Sequence, residues 1–194
     1  MTGSTASEPL PAWFEPLATA VRELRPEDLT RFLAPPEGGR PSAVLMLLGE
    51  SDGQPDVLLT QRADGMRAHS GQPAFPGGAQ DETDADAAAC ALREAQEEVG
   101  VDPSGVQVVA TLPQLWVPPT GFAVTPVLAW WRRPNEVFAA EAEVASVRRV
   151  PIADLANPAN RVRVRHPSGF VGPGFDVAGM TVWGFTGGLV ASLL

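Results

Sequence analysis

Basic residues are scarce in this chain relative to acidic ones. Across 194 residues, 14 lysine and arginine side chains stand against 23 aspartate and glutamate side chains, for a formal net charge of −9. This balance excludes the broad basic face that a nucleic acid polymer would require of its partner. It also means that local cations must hold any anionic substrate against the overall field of the protein.

Cysteine is nearly absent. The single one, Cys90, excludes an intramolecular disulfide and is typical of a reducing compartment, so we predict a cytoplasmic location. Cys90 stands among alanines in a predicted helix. We interpret it as a small packing residue rather than as a nucleophile.

Long apolar runs are also missing. The apolar stretch at residues 180–194 is shorter than the roughly 20 residues that a membrane-spanning helix needs. The residues that follow Met1 lack the basic and apolar regions of a signal peptide. We therefore expect no membrane partner, and we interpret the C-terminal stretch as a closing helix packed on a single domain.

Hydrophobic patterns predict strands alternating with helices. Residues 43–48 and 57–61 are expected to form a hairpin around the Ser51-Asp52-Gly53 turn. The remaining expectations are a short helix at 26–33, strands near 106–112, 122–131 and 147–150, a helical turn at 151–155, and late strands at 161–165 and 181–183. This order predicts an α/β fold with a mixed sheet, in which residues 1–39 form an N-terminal arm of the same domain.

Residues 85–99 are predicted to form a helix with carboxylates on one side. At 100° per residue, Glu94, Glu97 and Glu98 fall within roughly 100° of arc. Small apolar residues occupy another face, so we expect that face to pack inward and the three glutamates to point outward. An aspartate at 84 or 86 is suited to cap the start of the helix, and Gly100 to end it.

The three glutamates on this side of the helix, Glu94, Glu97 and Glu98, form an acidic ridge that has two interpretations. It is either a solvated face, at a cost of about 0.2–0.5 kcal/mol per like-charged pair, or a cation site. Mg²⁺ and Mn²⁺ take oxygen ligands and bridge carboxylates to substrate phosphates. The glycines and arginines upstream of the ridge, described below, favour the cation site. We predict an Mg²⁺ or Mn²⁺ site whose ligands are Glu94, Glu97, Glu98 and the carbonyl of Gly78.

The residues upstream of the ridge are suited to hold phosphate. Gly77 and Gly78 allow the backbone to approach a ligand closely, in what we expect to be a double-glycine turn. Arg62 and Arg67 are candidates for forked contacts with phosphate oxygens. Arg93 borders the ridge, and we interpret it as pairing with a glutamate to orient that side chain.

Two sequence blocks carry a family resemblance. Arg93-Glu94-x-x-Glu97-Glu98-x-Gly100 behind a double glycine resembles the Nudix box, the metal-binding loop–helix–loop of hydrolases that cleave nucleoside diphosphates linked to another moiety. Leu58-Leu59-Thr60-x-Arg62-Ala63, Arg67, Gly71 and Phe75-Pro76-Gly77-Gly78 resemble the signature of the coenzyme A pyrophosphatase subfamily. The resemblance covers roughly residues 40–194.

The resemblance implies a fold and a reaction. The fold is a Nudix-type α/β/α sandwich with a mixed central sheet, over residues 40–194. The reaction is metal-dependent cleavage of coenzyme A to 3′,5′-ADP and 4′-phosphopantetheine. The alternatives are ADP-ribose or a dinucleotide polyphosphate as substrate, and a domain that binds a nucleotide without catalysis. The three intact ridge glutamates argue against the last of these. The oligomeric state is left open, with a homodimer as one option.

The resemblance also implies residue roles. The catalytic set is Glu94, Glu97, Glu98, Arg93 and a further glutamate, for which Glu143 is the first choice and Glu141 the second. The general base is either a ridge glutamate or Glu143, and the alternative for Glu143 is a solvated loop acid. Further candidates are His69 and the arginines at 161, 163 and 165 for phosphate, and Phe122, Trp116, Trp130 and Trp131 for adenine or pantetheine.

One departure from the Nudix box is visible. The box places its glycine fourteen positions before the Arg-Glu pair, whereas Gly78 precedes Arg93 by fifteen. The first acid of the box therefore falls on Ala85 when counted from Arg93 and on Asp84 when counted from Gly78. The catalytic end of the helix is intact, and Asp84 is the candidate for the first acid.

Overall fold

The computed structural model describes residues 9–30, 32, 38–62, 71–118, 120–140, 144–165, 169 and 171–194. The helices are α1 Glu15–Ala20, α2 Pro26–Leu29, α3 Ala87–Val99, α4 Ile152–Ala156 and α5 Gly184–Leu193. The strands are β1 Arg40–Ser51, β2 Gln54–Arg62, β3 Pro73–Ala74, β4 Gly77–Ala79, β5 Val106–Thr111, β6 Leu115–Val117, β7 Phe122–Trp131, β8 Val144–Pro151, β9 Arg161–Arg165, β10 Val171–Val177 and β11 Met180–Val182.

Strand β1 is the centre of a mixed eight-stranded sheet. It pairs antiparallel with β2 and β4 and parallel with β7, while β8 extends the sheet beyond β2 and β5 extends it beyond β7. Strands β9, β10 and β11 form a separate antiparallel sheet. The predicted β1–β2 hairpin is confirmed, and its turn uses the positive φ angles of Asp52 and Gly53.

Alternating side chains of β1 divide the core into two clusters. Leu45 and Leu47 point to the side that α3 covers, where they pack with Ala91 and Ala95. The intervening residues of β1 point to the side covered by Phe14 and by residues of α1, α4 and α5. Helices therefore lie on both faces of the mixed sheet, which confirms the predicted α/β/α sandwich. Each fully buried leucine stabilises the fold by about 1.5–3 kcal/mol.

The N-terminal segment contributes to this core. Phe14 is fully buried and Ala18 nearly so, in the same cluster as Met46 of β1. Trp13 donates from its indole N–H to Glu50 Oε2 at 3.1 Å. We therefore propose that residues 1–39 belong to the same domain as the sheet.

Several element boundaries differ from the sequence prediction. Helix α2 ends at Leu29 rather than near residue 33, because Thr30 has an extended backbone. Helix α3 begins at Ala87 rather than residue 85, because the Asp86 side chain caps it by accepting from Ala89 N at 2.8 Å. The sequence also missed the short strands β3 and β6, which add to β2 and β7. Among the described residues, no helix combines the length and hydrophobicity needed to cross a membrane.

Candidate active site

Helix α3 is held at both ends and packs closely on the sheet. Asp86 caps its start, and Gly100 ends it in the left-handed conformation, at φ 71°. Its buried face consists of Cys90, Ala91, Ala95, Glu98 and Val99. Most of these side chains are small, so the helix axis lies close to β1 and β4.

The double glycine forms strand β4 rather than the predicted turn. Gly77 and Gly78 pair antiparallel with Val44 and Ala43 of β1. A Cβ on Gly77 would overlap the carbonyl of Ala43, and a Cβ on Gly78 would lie 2.5–2.6 Å from the carboxyl atoms of Glu94. Gly77 is therefore required by the close approach of β4 to β1, and Gly78 leaves room for the carboxylate of Glu94 where β4 approaches α3.

Glu98 lies in the inward face of the helix. The residue is 7% exposed, and its Oε2 accepts a hydrogen bond from the Gly77 N–H at 3.0 Å. The prediction that all three glutamates point outward was therefore wrong for Glu98. Helical spacing places residue 98 on the same face as Ala91 and Ala95, and the Gly77 amide offsets part of the cost of burying a carboxylate.

Arg93 is the centre of an ion-pair network. Its Nε and Nη2 donate to the two carboxylate oxygens of Asp84 at 3.0 and 2.9 Å. Its Nη1 donates to Glu94 Oε1 and to Glu97 Oε2, each at 3.0 Å, and Nη2 also donates to the Ala79 carbonyl at 3.2 Å. The expected pairing of Arg93 with ridge glutamates is therefore present.

The network shifts the protonation of its members. The hydrogen bonds from Arg93 are the main reason that the pKa of Asp84 falls to about 2. The same contacts raise the pKa of Arg93 above its usual range, so the pair stays charged. Only 4% of the Asp84 side chain is exposed. Asp84, which the count from Gly78 had indicated as the candidate for the first acid, is therefore the carboxylate that Arg93 holds with two hydrogen bonds.

Cys90 lies beneath this network. Burial is the main cause that raises the pKa of its thiol to about 11, so the thiol is neutral at pH 7. Its Sγ lies 3.8 Å from the Gly78 carbonyl oxygen, and the residue is fully buried. These observations agree with the interpretation of Cys90 as a packing residue.

A cavity of about 470 Å³ opens between α3, β4 and the ends of β2 and β7, and we call it the glutamate cavity. It is lined by Arg62, Gly77, Gly78, Ala79, Glu94, Glu97, Glu98, Phe122 and Ala140. The structure thus brings together Arg62, both glycines and all three ridge glutamates. Arg67, His69, Glu141 and Glu143 lie outside the described residues, and their roles stay predictions.

The other candidate residues lie elsewhere. Arg161 and Arg163 line a different cavity, of about 430 Å³, beside α5, and none of the ridge glutamates lines that cavity. Trp131 is buried in the core, and Trp130 packs edge-on against Trp13. Of the four aromatic candidates, Phe122 is the one that lines the glutamate cavity.

The donors in the cavity suit a hard cation by their chemistry. Carboxylate and carbonyl oxygens are the ligands that Mg²⁺ and Mn²⁺ prefer. Within the described part of the chain, no three acidic, histidine or cysteine side chains converge on one ion position. In this arrangement Arg93 donates to Glu94 and Glu97, while the Gly77 amide donates to Glu98. One or two carboxylates suffice for Mg²⁺ when water and substrate phosphate complete its shell.

Comparison with known proteins assigns the family. A family model described as the NUDIX domain matches residues 39–170, more than half of the chain. The chain belongs to the Nudix family. The predicted resemblance to Nudix hydrolases is therefore confirmed at the level of the family and of enzyme class.

Relatives with Nudix names cover most of the chain. A protein of Enterobacter sp. (strain 638), named uncharacterized Nudix hydrolase NudL, is 41% identical over 161 residues, which is 79% of this chain and 81% of that protein. The NudL protein of Escherichia coli (strain K12) is 50% identical over 100 residues, which is 52% of each chain. Both names give the hydrolase family and no substrate.

Solved structures share the fold of this Nudix hydrolase. RenU, a Nudix hydrolase from M. smegmatis, is 22% identical with a TM-score of 0.55, over 83% of this chain and 90% of that one. The NUDIX domain of Shewanella oneidensis NrtR, solved with ADP ribose, is 23% identical with a TM-score of 0.51, over 72% and 85% of the two chains. At identities of 22% and 23%, these similarities show that the fold is shared.

Proposed function

We propose that this Nudix hydrolase is a metal-dependent pyrophosphohydrolase that cleaves the diphosphate of coenzyme A to 3′,5′-ADP and 4′-phosphopantetheine. The observation that carries the proposal is the shared cavity of Arg62, the two glycines of β4 and three glutamates of α3. Arg62 and the glycines belong to the sequence block that resembles the coenzyme A pyrophosphatase signature. The proposal thus joins a site suited to diphosphate with a substrate-specific sequence pattern.

Each residue of the cavity has a proposed task. Arg62 binds diphosphate oxygens, and β4 lets the diphosphate approach the backbone because it carries no side chain at Gly77 and Gly78. Glu94, Glu97 and Glu98, with the Gly78 carbonyl, would hold Mg²⁺ or Mn²⁺. Bound there, such a metal would neutralise charge on the diphosphate and would lower the pKa of the attacking water.

The network around the glutamates positions them for this task. Arg93, held by Asp84, fixes Glu94 and Glu97, while the Gly77 amide fixes Glu98. A general base takes the proton from the attacking water, and either a ridge glutamate or Glu143 serves as that base. We assign Arg67 to substrate binding on the strength of its place in the signature.

The rival substrates are ADP-ribose and a dinucleotide polyphosphate. The NrtR domain was solved with ADP ribose, but at 23% identity that likeness concerns the fold. The signature favours coenzyme A over both rivals. We also propose that the enzyme acts in the cytoplasm on a small nucleotide and not on a nucleic acid polymer, in line with the net charge of −9.

A substrate panel tests the proposal. We would measure kcat/KM with Mg²⁺ or Mn²⁺ for coenzyme A, 3′-dephospho-coenzyme A, ADP-ribose and a diadenosine polyphosphate, and identify the products by mass. Coenzyme A should rank first and yield 3′,5′-ADP. A Glu97→Gln preparation, purified identically, measures contaminating activity. If ADP-ribose or the diadenosine compound ranked first, the substrate assignment would fail while membership of the Nudix family stood.

A further inference from the structure

The glutamate cavity has two ends that carry different chemistry. Arg62, the last residue of β2, and Phe122, the first residue of β7, both line the cavity, and the strand order puts them on opposite sides of β1, which we call the Arg62 end and the Phe122 end. Strand β1 lies between β2 and β7 in the sheet, with β4 paired to it. The cavity is therefore suited to an elongated substrate whose central diphosphate lies by the glutamates and whose two arms point to opposite ends.

A second arginine stands at the Phe122 end. Arg40 is the first residue of β1 and is directly opposite Phe122 in the parallel pairing of β1 with β7. Its guanidinium carbon lies 4.9 Å from the centroid of the ring of Phe122, which itself lines the cavity. Arg40 is exposed, and no carboxylate in the described ranges forms an ion pair with it. Its guanidinium donors are therefore available to an anion.

We propose that Phe122 and Arg40 form a subsite for the nucleoside arm of the substrate. The Phe122 ring contacts the base, and Arg40 binds a phosphate that the ribose carries outside the diphosphate to be cleaved. This inference rests on the proposed function, because the 3′-phosphate of coenzyme A is such a group and ADP-ribose lacks it. It makes Arg40 a specificity-determining residue and Phe122 a residue that binds the nucleoside arm of either substrate.

Electrostatics favours this placement of the additional phosphate. The lining of the cavity includes three carboxylates, which repel a further anion that no cation accompanies. Arg40 offers a cation that has no ion-pair partner among the described residues, next to an aromatic face on which a base can stack. Arg161 and Arg163 are the rival cations, but they line a separate cavity.

The test compares substrates that differ only in the 3′-phosphate. We would measure kcat/KM for coenzyme A and 3′-dephospho-coenzyme A with the wild type, Arg40→Gln, Phe122→Leu and Arg163→Gln. The wild type should prefer coenzyme A by roughly 10- to 100-fold, the range of one well-formed charge-assisted contact. Arg40→Gln should lose that preference by slowing coenzyme A alone. Phe122→Leu should slow both substrates by about the same factor, roughly 10-fold.

A binding measurement separates this subsite from the proposed reaction. By calorimetry, the wild type should bind adenosine 3′,5′-bisphosphate more tightly than AMP, and Arg40→Gln should bind the two alike. An unchanged preference in Arg40→Gln, or its loss in Arg163→Gln, would overturn the inference. Cleavage of coenzyme A without any preference for the 3′-phosphate refutes the subsite and leaves the proposed function standing. Absence of cleavage with the binding difference intact refutes the proposed function and leaves the subsite.

Discussion

The buried carboxylate of Glu98 accepts a hydrogen bond from the backbone N–H of Gly77 at 3.0 Å. This contact joins helix α3 to strand β4 across the floor of the cavity. Glu98 therefore has a structural task besides its proposed role as a metal ligand, and substitutions can separate the two.

Glu98→Gln and Glu98→Ala should differ in stability but not in activity. Glutamine keeps an acceptor for the Gly77 amide, whereas alanine leaves that amide without a partner, at a cost of about 1–3 kcal/mol. Both changes should lower kcat by roughly 100-fold or more, as expected for the loss of a charged group at a reacting centre. Denaturant unfolding and steady-state kinetics measure the two effects. Equal stability of the two variants would show that the hydrogen bond contributes nothing.

Glu97→Gln should affect activity without affecting the fold. Its side chain is 61% exposed, and its ion pair with Arg93 is worth at most about 0.5 kcal/mol at such a position. We expect kcat to fall by roughly 100-fold and the unfolding midpoint to stay nearly constant. Exposed Glu136, outside the cavity lining, provides the matched control as Glu136→Gln. Near wild-type turnover in Glu97→Gln would assign Glu97 to the solvated-face interpretation.

Gly78→Ala should displace the carboxylate of Glu94. The added Cβ would lie 2.5–2.6 Å from three carboxyl atoms, so Glu94 or β4 must move. Because these atoms are the far end of a flexible side chain, the expected loss of stability is small, below about 1 kcal/mol, and the main effect is a fall in kcat. Gly188→Ala is the matched control, because a Cβ there meets no atom within 4 Å and alanine favours the helix. An equal kcat in the two variants would contradict the close packing of Glu94 on β4.

Metal removal tests the nature of the ridge. Turnover should vanish in EDTA and return with Mg²⁺ or Mn²⁺, and the added metal should raise Tm because it binds the native state. For a chain of this length each kcal/mol of binding linkage raises Tm by about 2–4 °C. The rise should be smaller in Glu97→Gln than in Glu136→Gln. Full turnover in metal-free buffer would contradict the assignment of the ridge as a metal site.

The Asp84–Arg93 pair should make stability depend on acid pH. The folded-state pKa of Asp84, about 2, lies below the value of about 4 for an unfolded aspartate. The stabilisation is therefore fully present above about pH 5 and is lost as the pH falls toward 2. Tm of the wild type should exceed that of Asp84→Asn by a constant amount at neutral pH, and the gap should close in acid. Asp52→Asn, in the exposed β1–β2 turn, is the control. A gap that stays constant down to pH 2.5 would contradict the pairing.

Local sequence was sufficient to predict the helices and strands whose residues have strong conformational preferences of their own. The helix at 87–99 and the β1–β2 hairpin follow from an alanine-rich acidic run and from the Asp52-Gly53 turn, whose conformational preferences act within a few residues. The spacing from Gly78 to Arg93 likewise indicated Asp84, and the structure shows Asp84 paired with Arg93. Short strands such as β3 and β6 lack such a signal, since they form only because β2 and β7 offer them a partner.

The tertiary structure decided how the site is assembled. By sequence alone, Glu94, Glu97 and Glu98 are three equivalent members of one acidic ridge. Helical spacing gives the direction of each side chain around the helix axis, but it does not show which part of the protein packs against that side. The close approach of β4 makes them unequal, with Glu98 buried on the Gly77 amide and Glu97 exposed. The pairing of Arg40 with Phe122 joins residues 82 positions apart, and no local pattern encodes it. Sequence thus determined the family, the main elements and the chemical groups, while long-range packing decided which of those groups share a cavity and in what state.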